Sequence, residues 1–390
     1  MNRKEKEKEK PYAQLLDRMM LYVSVFMIMG LSDAAIPILP ELSDSTLLAN
    51  GAASSLIFSS YFIGALLTMI PFGVLADAYG NRLFIIIGIL LTLISGAAII
   101  ASDNVWVIVI ARFIEGMGCG AFFPAAFAML SNFRQSGQYI GEFNSLLNLG
   151  LAAGMGLAGL LVSTGVKNGL ILFEGLMLPT LMISLMVLIN NGYGETVSRK
   201  NEVASVILRS RKMLIHREYS QIWLLSFILF GSSGVLIALY PDFSLGSLHK
   251  GVLGTYLASI YIGAMVTSLI AGRLQVQRDI LVRAGMVITG VGAMAAVFHP
   301  IGLTLMGAGS GLGLVGLVTG VTYLKIEKGL AMGIFNTCTY AGLALVPLIS
   351  GLMLSAMGYT GSTQGYSGVF VVNGILLMAM VFLPMGALKK

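Results

Sequence analysis

Residues 83–101 have the sequence LFIIIGILLTLISGAAIIA, which places no charged side chain in 19 successive positions. A helix needs about 20 mostly apolar residues to cross the hydrocarbon core of a bilayer. Eleven further runs of similar character occur along the chain. Together they predict twelve transmembrane helices, at 18–40, 51–73, 83–101, 105–130, 140–163, 168–190, 219–241, 250–272, 281–298, 301–324, 330–357 and 367–386.

The composition agrees with a membrane protein. Hydrophobic residues make up 56% of the 390 residues and charged residues 11%, whereas a soluble domain carries about 25% charged residues. A soluble enzyme, a secreted disulfide scaffold and a disordered protein are therefore excluded. Cys119 and Cys338 lie inside apolar runs and are predicted to be buried. The sequence has no nucleotide-binding motif, metal-ligand spacing or nucleophile–base pair, so we expect no cofactor, no metal and no enzyme activity.

Lysine and arginine predict the orientation of the helices. Twenty-one of the 24 basic residues lie in or next to the N-terminal tail, in or next to the loops that follow even-numbered helices, or at the C-terminus. Lys167 and Lys250 lie on the other side, and Arg112 lies within the fourth run. The positive-inside rule then places both termini in the cytoplasm and predicts a multi-pass protein of the inner cell membrane. The net charge of +6 is explained by topology, so no nucleic-acid partner is expected.

The second half of the chain repeats the first at an offset of 191 to 201 residues. Residues 60–75 align with 259–274, and Phe143-Asn144 aligns with Phe335-Asn336. Six helices return the chain to its starting side, so both repeats have the same orientation. Such a parallel duplication is typical of transporters whose halves move around a midplane site. The predicted division is a cytoplasmic tail 1–17, a six-helix bundle 18–190, a linker loop 191–218 and a second bundle 219–390.

Three short motifs carry a resemblance to a known family. Residues 73–82 are GVLADAYGNR, residues 112–118 are RFIEGMG, and residues 37–40 are PILP. They resemble G-x-L-a-D-r-x-G-r-k, R-x-x-q-G-x-G and P-v-x-P of the major facilitator superfamily, in particular its twelve-helix drug:proton antiporter branch. The resemblance covers essentially the whole chain. It implies the all-α major facilitator fold, with two parallel six-helix repeats.

The motif associated with export is altered in this chain. Residues 141–159 resemble the glycine-rich helix-5 motif of the antiporters, but Met155 stands where that motif has proline. Helix 11 keeps the proline as Pro347 and has Val346 in place of glycine. Import and export therefore both stay open.

Asp33, Arg112 and Glu115 are the candidate proton-coupling residues. An ionisable side chain in the bilayer core costs about 2.5–3.5 kcal/mol on insertion scales. Asp33 and Arg112 each lie seven residues from the predicted outer end of their helix, or about 10 Å deep, so we expect them to pair. Glu115 shares a helix face with Arg112. The resemblance links this arginine to proton coupling, and the alternative is a static network that only joins helices 1 and 4. Asp33→Asn and Glu115→Gln are both expected to abolish coupled transport.

Two further groups of residues are candidates for function. By resemblance, the loop after helix 2 is a conformational latch, in which Asp77 meets the positive N-terminal end of helix 11; the alternative is a plain polar loop. The latch residues are Gly73, Asp77, Gly80 and Arg82. The predicted substrate cavity is lined by aromatic and amide side chains, whose alternative role is hydrogen bonding between helices. These are Tyr61, Asn144, Asn148, Tyr261, Asn336 and Tyr340.

The sequence thus predicts a secondary active transporter that works by alternating access. The leading prediction is proton-coupled export of a hydrophobic or cationic compound. Transport of a metabolite such as a sugar or amino acid is the alternative, and a non-transporting membrane sensor is less favoured. The expected partners are a small-molecule substrate, protons and the lipid bilayer, and family members of this size lead us to expect a monomer.

Overall fold

A computed structural model describes residues 3–43, 50–133, 135–191, 219–273, 276–324 and 328–383. Within these ranges the chain forms twelve long helices and no strand. They are α1 (Arg3–Ala34), α2 (Asn50–Tyr79), α3 (Asn81–Ala101), α4 (Val105–Ser131), α5 (Ser136–Leu161), α6 (Asn168–Asn191), α7 (Ser220–Phe243), α8 (Lys250–Arg273), α9 (Arg278–Ala295), α10 (Ile301–Thr322), α11 (Lys328–Ala356) and α12 (Thr363–Met380).

The predicted all-α fold is confirmed, with differences at the helix ends. Eleven of the helices in the described ranges are long and apolar enough to cross a membrane. The exception is α9, an 18-residue helix that includes Arg278, Asp279 and Arg283. It begins three residues before the predicted run 281–298 and ends three residues before the end of that run. Charged residues in the first turns therefore belong to this helix and not to the loop before it.

The first helix differs from its prediction at both ends. It begins at Arg3, inside the segment predicted as a tail. At its other end the chain continues through a 3-10 turn, Ile36–Ile38, and a helical turn, Leu39–Leu42. Pro37 and Pro40 lie in these turns, and proline cannot donate a backbone hydrogen bond to a continuing helix. Of the predicted linker, residues 192–218 lie outside the described residues.

The internal repeat is visible in matching helix contacts. A Cβ atom added to Gly116 of α4 would collide with the backbone oxygen of Tyr61 of α2. The equivalent atom on Gly307 of α10 would collide with the backbone oxygen of Ile260 of α8. These pairs occupy matching places in the two repeats, so glycine allows the same close approach of helices twice. Helices α1–α6 and α7–α12 form the two repeats.

The two halves meet at one face of the molecule. We call the face where α1 begins the tail face and the opposite face the far face. At the far face, Lys250 at the start of α8 forms an ion pair of 2.8 Å with Glu41. Gly254 of α8 packs against Gly159 of α5, where an added Cβ atom would lie 2.8 Å from the Gly159 Cα atom. The described conformation is therefore closed at the far face.

The halves of α5 and α11 nearer the tail face are less closely packed than the halves at the far face. A Cβ atom added to Gly141 of α5 or to Gly333 of α11 would meet nothing within 4 Å. Asn144, one turn further along α5, is exposed. A cleft between the halves at this face fits these observations.

Candidate functional site

A buried ion pair lies in the first half of α4. The Nη1 atom of Arg112 is 2.7 Å from Oε2 of Glu115, and the two side chains are 2% and 1% exposed. The same nitrogen donates a hydrogen bond of 3.0 Å to the backbone oxygen of Ser32 in α1. The Tyr61 ring lies 4.8 Å from Cζ of Arg112, which adds a cation–π interaction. The i,i+3 spacing thus produces the expected contact between Arg112 and Glu115.

Asp33 lies beside this ion pair without joining it. Its side chain is buried at 7% exposure, and its Oδ2 atom has no hydrogen-bond partner among the described residues. The sequence predicts that Asp33 pairs with Arg112. In the structure the guanidinium group instead pairs with Glu115, its neighbour on the same helix, and donates a hydrogen bond to the backbone oxygen of Ser32. The Asp33 carboxyl group instead faces Tyr261 of α8. It therefore lies where the first repeat meets the second.

The charges of this cluster do not balance. Asp33, Arg112 and Glu115 provide two carboxyl groups and one guanidinium group, and the ion pair uses the guanidinium and one of the carboxylates. A buried charge costs several kcal/mol unless it is paired. Asp33 is the carboxyl group left over. The arrangement can therefore bind one further positive charge, which is either a proton or a cationic group of a ligand.

The structure divides the predicted cavity residues into two groups. Tyr61 and Tyr261 belong to the charged cluster, and Tyr61 also hydrogen-bonds to Sγ of Cys119 at 2.9 Å. Tyr340 of α11 packs against Phe62, with the ring centroids 5.8 Å apart. It thus joins the second repeat to the first near the cluster.

The amide residues lie nearer the open tail face. Asn148 donates a hydrogen bond of 2.8 Å to the backbone oxygen of Asn144, within α5. Asn144 is exposed, and Asn336 on α11 is partly buried. These side chains are accessible from the tail face, whereas the aromatic residues lie deeper.

The predicted latch residues hold the turn between α2 and α3. Gly80 has φ 107°, which residues with a Cβ atom rarely adopt. Gly73 faces Pro124 of α4, where an added Cβ atom would lie 3.3 Å from the proline Cβ. Asp77 is exposed at the tail face. Arg82 binds Asp17 of α1 through two hydrogen bonds of 2.9 and 2.7 Å. Asp17 was not among the predicted site residues, because it lies in the segment 1–17 that was predicted to be a tail.

Two further acidic residues were not predicted to have a role in a site. Glu174 of α6 packs against Gly96 of α3, where an added Cβ atom would overlap Oε2 of the glutamate. Asp242 is buried near the end of α7. A signal for Asp242 exists in the repeat: Pro40 is followed by Glu41 and Pro241 by Asp242. It was overlooked because the predicted helices ended near these prolines.

The cysteines are buried as predicted. Cys119 and Cys338 are both free thiols with 0% and 8% exposure. They lie in different repeats.

The family model described as Major Facilitator Superfamily matches residues 21–323. This match covers most of the chain, and the chain belongs to the major facilitator superfamily. It is a multi-pass integral membrane protein and a transporter of small molecules.

Curated relatives point to several kinds of transporter. An uncharacterized MFS-type transporter of Methanocaldococcus jannaschii is 25% identical over 354 residues, which is 85% of this chain and 89% of the relative. The quinolone resistance protein NorA of Staphylococcus aureus is 27% identical over 46% of each chain. A putative inorganic phosphate cotransporter of Drosophila ananassae is 31% identical over 31% of this chain, and the match spans only 26% of that protein.

Solved structures agree with the fold. A mutant of the nucleoside transporter NupG superimposes with a TM-score of 0.74 at 14% identity, over 93% of this chain and 99% of that one. A bacterial homolog of the human lysosomal transporter Spinster gives a TM-score of 0.70 at 16% identity, over 96% of both chains. At these identities the likeness concerns the fold alone.

Proposed function

We propose that this transporter exports a hydrophobic or cationic compound in exchange for protons. The observation that carries the proposal is Asp33, a buried carboxyl group beside a guanidinium group that is already paired with Glu115. A proton and a cationic ligand compete for this carboxylate, because either one neutralises it and only one is needed. Competition of this kind couples the release of protons to the binding of substrate.

The surroundings of Asp33 suit an aromatic or lipophilic cation. Tyr261 faces the carboxyl group from the second repeat. The rings of Phe62 and Tyr340 pack together between α2 and α11. Aromatic faces attract cations and provide apolar contact area at the same time. Similarity to the quinolone resistance protein NorA supports a drug over a sugar or an amino acid as the substrate.

The orientation of the protein in this proposal follows from the basic residues. With the tail face in the cytoplasm, the described conformation is inward-facing, and Asn144 and Asn148 of α5 lie at the entrance. Asp77 acts as a latch at this face when the protein is open to the outside. The ion pair between Arg82 and Asp17 holds the turn between α2 and α3 against α1. Metabolite transport is the competing proposal, and the replacement of the motif proline by Met155 supports it.

The test uses inside-out vesicles that contain the wild type or Asp33→Asn. The vesicles are energised, the internal pH is followed with a fluorescent dye, and lipophilic cations, neutral drugs, sugars and amino acids are added in turn. We expect a lipophilic cation to release protons from wild-type vesicles and not from vesicles with the variant, because the variant lacks the carboxyl group at position 33 for which the proton and the cation compete.

The matched control is Asp103→Asn. This carboxylate also forms an ion pair, with Lys167, but its side chain is 97% exposed. The Asp103→Asn variant should leave the proton signal unchanged. Release of protons by sugars or amino acids alone would overturn the export proposal in favour of metabolite transport. An unchanged cation signal in Asp33→Asn would overturn the assignment of Asp33.

A further inference from the structure

A second buried carboxyl group lies at the far face, away from the Asp33 cluster. Asp242, near the end of α7, is 6% exposed, and neither of its carboxyl oxygens accepts a hydrogen bond of regular geometry from any residue that the structure describes. Ser54 of α2 faces it from the other repeat, but the Ser54 hydroxyl donates its hydrogen to Ser43 at 3.1 Å. Asp242 is therefore buried in the seam that closes the far face.

The one lysine beside Asp242 in the described residues is already in use. Lys250 of α8 lies 2.8 Å from Glu41 and also donates a hydrogen bond of 3.0 Å to the backbone oxygen of Pro37. Both of these partners belong to the first repeat, so Lys250 joins the two repeats at this face. Asp242 lies within its electrostatic reach but does not form an ion pair with it.

A tyrosine also lies beside Asp242 at the far face. Tyr366 of α12 is buried next to Asp242. Its hydroxyl oxygen faces the backbone of Gly361, and the hydroxyl group donates no hydrogen bond to any residue that the structure describes. A Cβ atom added to Gly51 at the start of α2 would lie 2.6 Å from this hydroxyl oxygen. The tyrosine thus fills the seam between the repeats. His249, which precedes Lys250, accepts a hydrogen bond from the backbone nitrogen of Gly251.

Among the described residues, the ionisable groups at this part of the seam are therefore Glu41, Asp242, His249, Lys250 and Tyr366. One ammonium group faces two carboxyl groups. An ionised, unpaired carboxylate is costly to bury, whereas a neutral carboxyl group costs far less. Closure of the seam over an ionised Asp242 is opposed for this reason.

We propose that Asp242 is a proton-binding site of the far-face gate. When the gate is open, water reaches the carboxylate. Closure adds a proton from that water to one carboxylate oxygen, and opening returns the proton to the same side. The gate thereby binds protons independently of the Asp33 cluster, and acidic solution at the far face favours the closed gate. This inference goes beyond the proposed function, because it holds for any transported solute.

The experiment measures the width of the far face. Cysteines are introduced at two exposed positions on opposite repeats, Val166 in the loop after α5 and Met357 after α11. Spin labels on the purified full-length protein in lipid nanodiscs report the distance between them by pulsed electron paramagnetic resonance. Cys119 and Cys338 are buried, and the labelling of protein without the new cysteines gives the background.

We expect the wild type to shift from a short distance at acidic pH to a mixture with a longer distance at alkaline pH. Asp242→Asn should keep the short distance throughout, because its amide needs no proton to be neutral. Glu41→Gln should also lose much of the response, since it leaves Lys250 free to pair with Asp242. Asp103→Asn, which removes a carboxylate that is 97% exposed, should respond like the wild type.

Three results would overturn the proposal. The first is a wild-type distance that does not change with pH. The second is an Asp242→Asn variant that responds to pH like the wild type. The third is a far face that closes on addition of sodium at constant pH, because the site would then bind a metal cation in place of a proton.

Discussion

Arg112 is shared unequally between two carboxyl groups, and this inequality assigns them different roles. Glu115 is 2.7 Å away and as deeply buried as the arginine. Asp33 makes no ion pair with it and faces Tyr261 of the other repeat. Glu115 is the fixed partner of the guanidinium group, whereas Asp33 is free to exchange its proton in the proposed cycle.

The different roles of Glu115 and Asp33 predict different losses of protein stability when each is replaced by its amide. Glu115→Gln leaves the Arg112 charge buried without an ion pair, and loss of one partner from such a pair costs about 3–5 kcal/mol. Asp33→Asn breaks no ion pair, so its melting temperature should stay close to that of the wild type. A dye that reacts with thiols measures the unfolding of the purified protein, because both native cysteines are buried. A larger loss of stability in Asp33→Asn than in Glu115→Gln would reverse the two roles.

At the scale of the helices, glycine determines how closely the two repeats approach. A Cβ atom added to Gly254 of α8 would lie 2.6 Å from the backbone oxygen of Met155 and 2.8 Å from Cα of Gly159, both in α5. This crossing belongs to the closed far face. Gly272, near the other end of α8, has open space around it.

The pair of variants Gly254→Ala and Gly272→Ala tests this crossing. Both changes raise helix propensity by about 1 kcal/mol, so their difference reports the crossing alone. We expect Gly254→Ala to lengthen the far-face distance between labels at positions 166 and 357, and Gly272→Ala to leave it unchanged. Equal behaviour of the two variants would show that the approach of α5 and α8 does not control closure.

Helices were easier to predict than the residues at their ends. Hydropathy identified all twelve, and the alignment of residues 60–75 with 259–274 identified the repeat, whereas the close contacts of Gly116 and Gly307 were visible only in the structure. Asp17 and Asp242 were overlooked because the apolar pattern ends where helices emerge from the membrane. No functional residue was therefore predicted in the tail or at the prolines that end the first and seventh runs. The preference of Arg112 for Glu115 depends on side-chain packing, which spacing alone leaves open.

At the scale of the whole molecule, the two proposed proton sites lie on the boundary between the repeats. Asp33 faces Tyr261 across it, and Asp242 is enclosed in its far-face seam. A transporter that moves its repeats against each other changes the surroundings of both groups in each cycle. In the two proposals, protons are linked to substrate binding at Asp33 and to closure of the far face at Asp242.

The central claim is that substrate and proton compete for Asp33. The direct measurement takes purified protein in a weakly buffered solution and records the binding of a lipophilic cation and the release of protons together. We predict protons released in proportion to bound cation by the wild type and by Asp242→Asn, and none released by Asp33→Asn. Cation binding by the wild type without proton release, or equal release by Asp33→Asn, would contradict the account.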